Sequence, residues 1–240
     1  MSEPMDARWT LVTFCAIGYV VGSLPIGYWA TRWRRLGLDI RGYGSGNVGT
    51  ANIYRHAGFG LAAWVGPIQF LQGLAPVVLA HYVGDVPAAG LVLVGVAAVV
   101  GNGWSIFLGF EGGRGVAVST GTVAGLNLIA LAALLACYAL GALRHHPAEG
   151  VLAGFLLLPE VGLVLAFTPV GGGAALALGF AALLLLILAR RLDGLKRDVS
   201  RYGGRRHLIL DRILHDRRPG RPLVGHRTDS QADQGSSVHT

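Results

Sequence analysis

The residues able to do chemistry in this 240-residue chain gather in two short polar segments, 39–55 and 109–117, set in an oily background. In the first, Gly42, Gly44, Gly46 and Gly49 form a loop. Ser45, Asn47 and Asn52 offer hydroxyl and amide groups, and Arg41 and Arg55 carry charge. The second places Gly112, Gly113, Arg114 and Gly115 directly before an apolar run. Glycine lets successive backbone N–H groups turn toward one point, and arginine brings a permanent planar charge that fits phosphate oxygens. Glycines ahead of a helix also let an anion approach the free N–H groups of its first turn, where Arg114 could close over it. Taken singly, each segment also reads blandly, as a connector with topological arginines or a turn with an anchoring one. Two of them on one face of a membrane protein imply a site for phosphate-bearing molecules at the membrane surface.

The elements that must position these loops are helices. Apolar residues make up 52% of the chain, charged residues 14%, and mean hydropathy is +0.53, which excludes an ordinary soluble domain. Crossing a bilayer takes roughly 20 apolar residues per helix, and such runs occur at about 10–30, 59–83, 88–108, 150–169 and 172–190. The run 115–143 is too long for one span and short for two. Gly121, Gly125 and Asn127 offer places to break it into two short helices, giving an all-α polytopic protein of seven segments. The first apolar run is long enough to span, and the acidic Glu3 and Asp6 ahead of it do not suggest a cleavable signal peptide. Pro25 falls inside it and predicts a kink.

Arginine placement predicts the orientation. Arg32, Arg34, Arg35, Arg41, Arg55, Arg114, Arg144 and the cations from Arg190 onward fall on alternate connections, and only Arg8 lies elsewhere. The positive-inside rule then sets these loops and the C-terminus in the cytoplasm and the N-terminus outside, in a multi-pass protein of the plasma membrane. Residues 1–190 form one membrane domain. Residues 191–216 are a basic interfacial segment in which Leu208, Ile209, Ile213 and Leu214 could line an amphipathic helix, and 217–240 is expected to be disordered. The net charge of +7 speaks for topology and anionic lipid rather than nucleic acid. Cys15 and Cys137 lie within predicted spans and read as small core residues. The histidines lack metal-ligand spacing, so neither metal nor cofactor is expected.

Together the motifs resemble the acyl-phosphate:glycerol-3-phosphate acyltransferases of bacterial membranes, the PlsY family. The resemblance rests on Gly22 to Tyr28, on Asp39-Ile40-Arg41 with Gly44 to Gly49, on Asn52 and Arg55, and on Phe110 with Gly112 to Ala117, covering about 20–120. It implies seven helices, an outside N-terminus, and cytoplasmic loops that bring acyl phosphate to the 1-hydroxyl of glycerol 3-phosphate, giving lysophosphatidate. It also implies an acyl-phosphate-forming enzyme as pathway partner. By resemblance the catalytic residues are Ser45, Arg55 and Arg114. Arg41, Gly46, Asn47, Asn52, Gly112, Gly113 and Gly115 bind substrate; Ser45 and Arg55 hold the glycerol phosphate, and Gly112 to Gly115 cradle the acyl phosphate.

Several positions depart from the pattern resembled. Arg114 stands for a lysine, Asn102 for a histidine, and Gln69 and Gln72 for an aspartate and lysine whose charges vanish together. The third motif, at 144–152, lacks serine, and Arg191 and Gly194 stand where histidine and asparagine are expected. These losses keep open a second reading, a catalytically weakened relative that binds phospholipid precursors or regulates a true acyltransferase. A small transporter is disfavoured, because midplane polar groups are few and no inverted repeat is apparent.

Overall fold

The computed structural model describes residues 4–36, 39–168, 173–193, 195 and 209–215, so the expected tail at 217–240, Gly194 and Leu208 lie outside the described residues. Among the described residues the regular elements are helices, joined by loops and turns, with an isolated antiparallel bridge between Ser105 and Glu111. The chain runs α1 (Pro4–Ser23), α2 (Ile26–Thr31), a π-helical turn, a 3-10 turn at Ile40–Gly42, and α3 (Thr50–Ala57). Then follow α4 (Phe59–Tyr82), α5 (Ala88–Gly103), a 3-10 turn at Ile106–Leu108, α6 (Val116–Leu126), α7 (Leu128–Leu143), α8 (Pro147–Ala166) and α9 (Ala174–Leu192). A last π-helical turn covers Asp211–His215.

Four helical stretches are long and apolar enough to cross a membrane: the α1–α2 stretch, α4, α8 and α9. Three shorter apolar helices, α5, α6 and α7, complete the bundle. The run 115–143 does break, and Asn127 is the point. Its backbone is extended (φ −161°, ψ 122°), and its Oδ1 accepts from the amides of Ile129 and Ala130, capping α7. Gly121 instead stays helical, because it lets α6 reach α4. A Cβ there would sit 1.9 Å from the Phe70 carbonyl oxygen, and one on Gly73 1.9 Å from that of Val118. Small residues allow this backbone approach, which replaces hydrophobic drive where lipid surrounds the helices. Gly22 and Gly101 do the same between α1 and α5.

Pro25 separates α1 from α2, and Gln72 of α4 compensates for the break. Its Nε2 donates to the carbonyls of Val21 (2.7 Å) and Leu24 (2.9 Å). Proline at 25 removes the amide that would have bonded Val21, so a neighbouring side chain supplies the donor. Gln69, one turn earlier, ties α4 to the start of α3: its Oε1 accepts from Thr50 N and Oγ1, and its Nε2 donates to Val48 O. Both glutamines are buried braces with neutral partners, which explains how the helix tolerates them without charge. Cys15 and Cys137 are free thiols, each partly buried.

The core follows the bundle. A large cluster joins α5 to α9 through Val99, Val118, Leu134, Phe155, Leu158, Phe180 and Leu183. A separate one, Ile40, Val48, Ile53, Leu61, Ala62 and Val65, pins the first polar loop onto α4. The loop is therefore a packed element with its own apolar anchors.

Candidate active site

Asn52 organises the first loop. Fully buried on α3, it accepts from Ser45 N (3.2 Å) and donates to the carbonyls of Ile40 (3.3 Å), Tyr43 (3.1 Å) and Asn47 (2.9 Å). One side chain thus engages four backbone groups of the loop. Gly44 (φ 51°) and Gly46 (φ 70°) adopt left-handed conformations that this fold-back requires. A Cβ on Gly44 would also strike His56 Nε2 at 2.2 Å. Asn47 Oδ1 accepts from Gly49 N (3.1 Å), shaping the entry to α3.

Arg41 spends its charge joining the two loops. Its guanidinium pairs with Asp39 (2.8 Å), reaches Glu111 in the second loop (3.3 Å), and lies 4.9 Å from the centre of the Tyr28 ring. Hydrogen bonds from Arg41 hold the Asp39 carboxyl below the usual carboxylate range.

The second loop leaves α5 at Trp104 and returns through Gly112 and Gly113. Gly113 N donates to Asn102 O (2.8 Å), and a Cβ on Gly112 would lie 2.2 Å from that same oxygen, so glycine is required for the close return. Arg190 of α9 fixes the loop from below. It donates to Gly113 O (3.2 Å) and Gly112 O (3.0 Å), pairs with Asp193 (2.8 Å), and packs on the Trp104 ring. Gly115 (φ 75°) then starts α6, whose first turn leaves the amides of Val116, Ala117 and Val118 without partners inside the helix.

Between the loops lies a cavity of about 700 Å³. Its polar wall carries Asn47 and Arg55 from the first loop and α3, Asn102 from the end of α5, Arg114 and Gly115 from the second loop, and Arg191 from the end of α9. Val116, Ala117 and Val118 also face it, so the helix terminus is presented to whatever enters. Apolar side chains, among them Phe59, Ala62, Phe70, Val118 and Val151, make up the remaining wall. Arg55 is exposed, whereas Arg114 is 5% exposed.

Of the residues expected from the sequence, Arg55, Arg114, Asn47 and Gly115 share this wall. Ser45, Arg41, Gly46, Asn52, Gly112 and Gly113 do not line it. Ser45 is buried, and its Oγ has no hydrogen-bond partner among the described residues. The others shape the two loops from behind. The third segment, which lacks serine, contributes Pro147, Ala148 and Val151 to the wall, while His146 pairs with Glu149 outside it. Sequence reasoning had no signal for Arg190, Thr120 or Tyr138. The last two meet at 3.0 Å on the cavity wall, and only the packing of α6 on α7 brings them together.

The bundle and its cavity define an integral membrane protein whose site suits an anion bearing an apolar appendage. The sequence model of a family described as glycerol-3-phosphate acyltransferase matches residues 12–199. Glycerol-3-phosphate acyltransferase 4 of Dehalococcoides mccartyi (strain CBDB1) is 36% identical over 204 residues, covering 83% of this chain and 86% of that protein. The glycerol-3-phosphate acyltransferase of Desulforudis audaxviator is 38% identical over 201 residues, covering 82% and 98%. The fold also matches the crystal structure of PlsY (YgiH), an integral membrane glycerol 3-phosphate acyltransferase, in its glycerol 3-phosphate form. That match has a TM-score of 0.69 at 22% identity and covers 79% of this chain and 92% of that one. A second structure, the lysophosphatidic acid form, gives a TM-score of 0.66. The chain belongs to the glycerol-3-phosphate acyltransferase family.

Proposed function

We propose that this protein transfers an acyl group from acyl phosphate to the 1-hydroxyl of glycerol 3-phosphate, releasing lysophosphatidate and inorganic phosphate. The observation that carries this reading is the shared cavity, in which Arg55 of α3 and Arg114 of the second loop face one space with apolar walls. Two phosphate-bearing substrates repel each other, and cations from both sides offset that repulsion while holding the reacting atoms together. The hydroxyl oxygen bonds to the acyl carbon as the acyl–phosphate bond breaks, and the hydroxyl proton passes to a phosphate oxygen. Phosphate is a good leaving group, so no covalent enzyme intermediate is needed.

The cradle for acyl phosphate is Gly112 to Gly115 with Arg114 and the first turn of α6. Only Gly115 of these glycines faces the cavity, and Gly112 and Gly113 act by allowing the loop's close return. Arg55 and Ser45 hold glycerol 3-phosphate. Ser45 Oγ, buried without a partner among the described residues, supports that role, although contact requires the loop to tighten around substrate. Arg41 and Asn52 hold the loops in register, and Asn47 offers its amide at the wall. The acyl chain extends along the apolar wall toward lipid.

The reading further sets seven spans in the plasma membrane, with the N-terminus outside and both loops cytoplasmic, where an acyl-phosphate-forming enzyme supplies the donor. The distribution of arginines supports it. Impermeant labelling of single cysteines, in a background lacking Cys15 and Cys137, tests the topology.

Purified protein given palmitoyl phosphate and radiolabelled glycerol 3-phosphate tests the reaction. Ser45→Ala and Arg55→Ala should each raise KM for glycerol 3-phosphate, with less effect on palmitoyl phosphate. The double variant should lose less than the product of the two single losses, because both groups act on one phosphate. The third segment's poverty in cavity-lining polar groups favours one alternative, a relative that binds precursors without turning them over. Wild-type protein that binds palmitoyl phosphate yet acylates no glycerol 3-phosphate would decide for it.

A further inference from the structure

Arg191, on the cavity wall, has surroundings that extend beyond the family match. That match ends at residue 199, whereas Arg191 Nη1 donates to the backbone carbonyl of Ile213. The contact is reciprocal: Arg212 Nη1 donates to the carbonyl of Asp193, two residues past Arg191. The turn Asp211–His215 packs on both α8 and α9, and Arg212 is 1% exposed. Residues 209–215 thus form a strap clasped to the end of α9 by two crossed arginine-to-carbonyl bonds.

Among the described residues, no further group offsets the charge on Arg191. The side chain is 3% exposed and faces the cavity, its Nε has no acceptor, and no carboxylate among the described residues pairs with it. Its electrostatic neighbour is the Tyr138 phenol, which also lines the cavity. Burying a guanidinium with neither counter-charge nor a full set of acceptors is costly, and a chain that keeps one beside a cavity gains when an anion fills that cavity. Neighbouring Arg190 shows the contrasting arrangement, paired with Asp193 and spent on loop carbonyls. A planar fork can give one edge to the strap and leave donors for phosphate, a division that a lysine could not make.

With Arg191, which stands where the family pattern has a histidine, serving as a third phosphate-binding cation of the cavity, we propose that the 209–215 strap positions it through the Ile213 carbonyl. The proposal rests on the acyltransferase reading for the identity of the phosphate carriers but not for phosphate binding itself. The strap would make the end of the chain part of the site, with a segment outside the common family region setting how tightly phosphate is held.

Steady-state acyl transfer with palmitoyl phosphate and glycerol 3-phosphate, and thermal stabilisation by inorganic phosphate, supply the readouts. Arg191→Gln should weaken phosphate binding and raise KM for one or both substrates by about ten- to a hundredfold, the range for a charge-assisted contact. The substrate whose KM moves identifies the phosphate that Arg191 holds; a change only in inhibition by inorganic phosphate assigns it to the product. Arg191→Lys should recover part of the loss. A chain ending after His207 should show the same KM shift, and one ending after Asp216 should behave as wild type. Arg191→Gln in the chain ending at His207 should add little further loss, because the strap acts through Arg191.

Unchanged KM values and unchanged stabilisation by phosphate in folded Arg191→Gln would overturn the proposal. So would a lower melting temperature in the chain ending at His207 with wild-type KM values, since the strap would then be a structural brace alone. If the wild-type protein transfers no acyl group, the acyltransferase reading fails, and stabilisation by inorganic phosphate, compared across the same variants, still decides the role of Arg191.

Discussion

Replacing Asn52 by alanine tests whether the first loop is a built structure on which the site depends. The substitution removes four hydrogen bonds at once, at a residue 1% exposed. The amide of Ser45 loses its acceptor, and an orphaned buried donor costs about 1–3 kcal/mol. The carbonyls of Ile40, Tyr43 and Asn47 lose a donor each, but a second lone pair and water entering the vacated space soften that loss. Together the loop should be destabilised by about 2–4 kcal/mol, within the range for breaking a buried network. Asn52→Asp should be worse, because a carboxylate would face three carbonyl oxygens with no proton to offer them. Hydrogen exchange in nanodiscs should then show faster exchange across 40–49 while α5 and α9 keep their protection. The kcat/KM for glycerol 3-phosphate should fall by about thirty- to a thousandfold if the whole cost of reordering the loop appears in it. Protection and kcat/KM both within twofold of wild type for Asn52→Ala would refute the idea that this network holds the site together.

For Arg114, lysine should retain more activity than alanine, because charge beside the α6 terminus matters more there than fork geometry. Alanine should cost about ten- to a hundredfold in kcat/KM for palmitoyl phosphate, and an unchanged value would reduce the second loop to a turn. Gly73→Ala should lower the melting temperature sharply, since its Cβ would sit 1.9 Å from the Val118 carbonyl oxygen and force α4 from α6. Gly60→Ala, with open space around it, should be nearly neutral, and equal effects would contradict the packing argument. Burial, reinforced by the Arg55 charge, holds His56 below the ordinary histidine value of 6.5. The unfolded chain therefore binds this proton first as pH falls, so stability should drop from pH 6.5 down to the folded value and level off below it. His56→Gln should flatten that part of the profile of melting temperature against pH, and parallel profiles for the two proteins would count against the assignment.

The sequence determined the all-helical class, the approximate span limits and the two polar loops. Apolar run length and glycine chemistry act locally and need no partner to be read. Asn127 shows how far this reaches: a side chain that caps its own helix marks the break between α6 and α7 within a few residues. Four candidate site residues, Arg55, Arg114, Asn47 and Gly115, could be named from the loops and are found on one wall. Spacing alone could not separate wall residues from those behind the wall. Arg41, expected to bind substrate, instead engages Asp39 and Glu111, and the latter lies 70 residues away. Gln72 looked like a lost charge and is a brace for the Pro25 break, a role visible only when α4 lies against the junction of α1 and α2. Arg190 and Arg191 are adjacent in sequence, but helical rotation sends one to the second loop's carbonyls and the other to the cavity wall and the Ile213 carbonyl. Which arginine supports the second loop and which faces the cavity depends on long-range packing, so tertiary structure alone decided it.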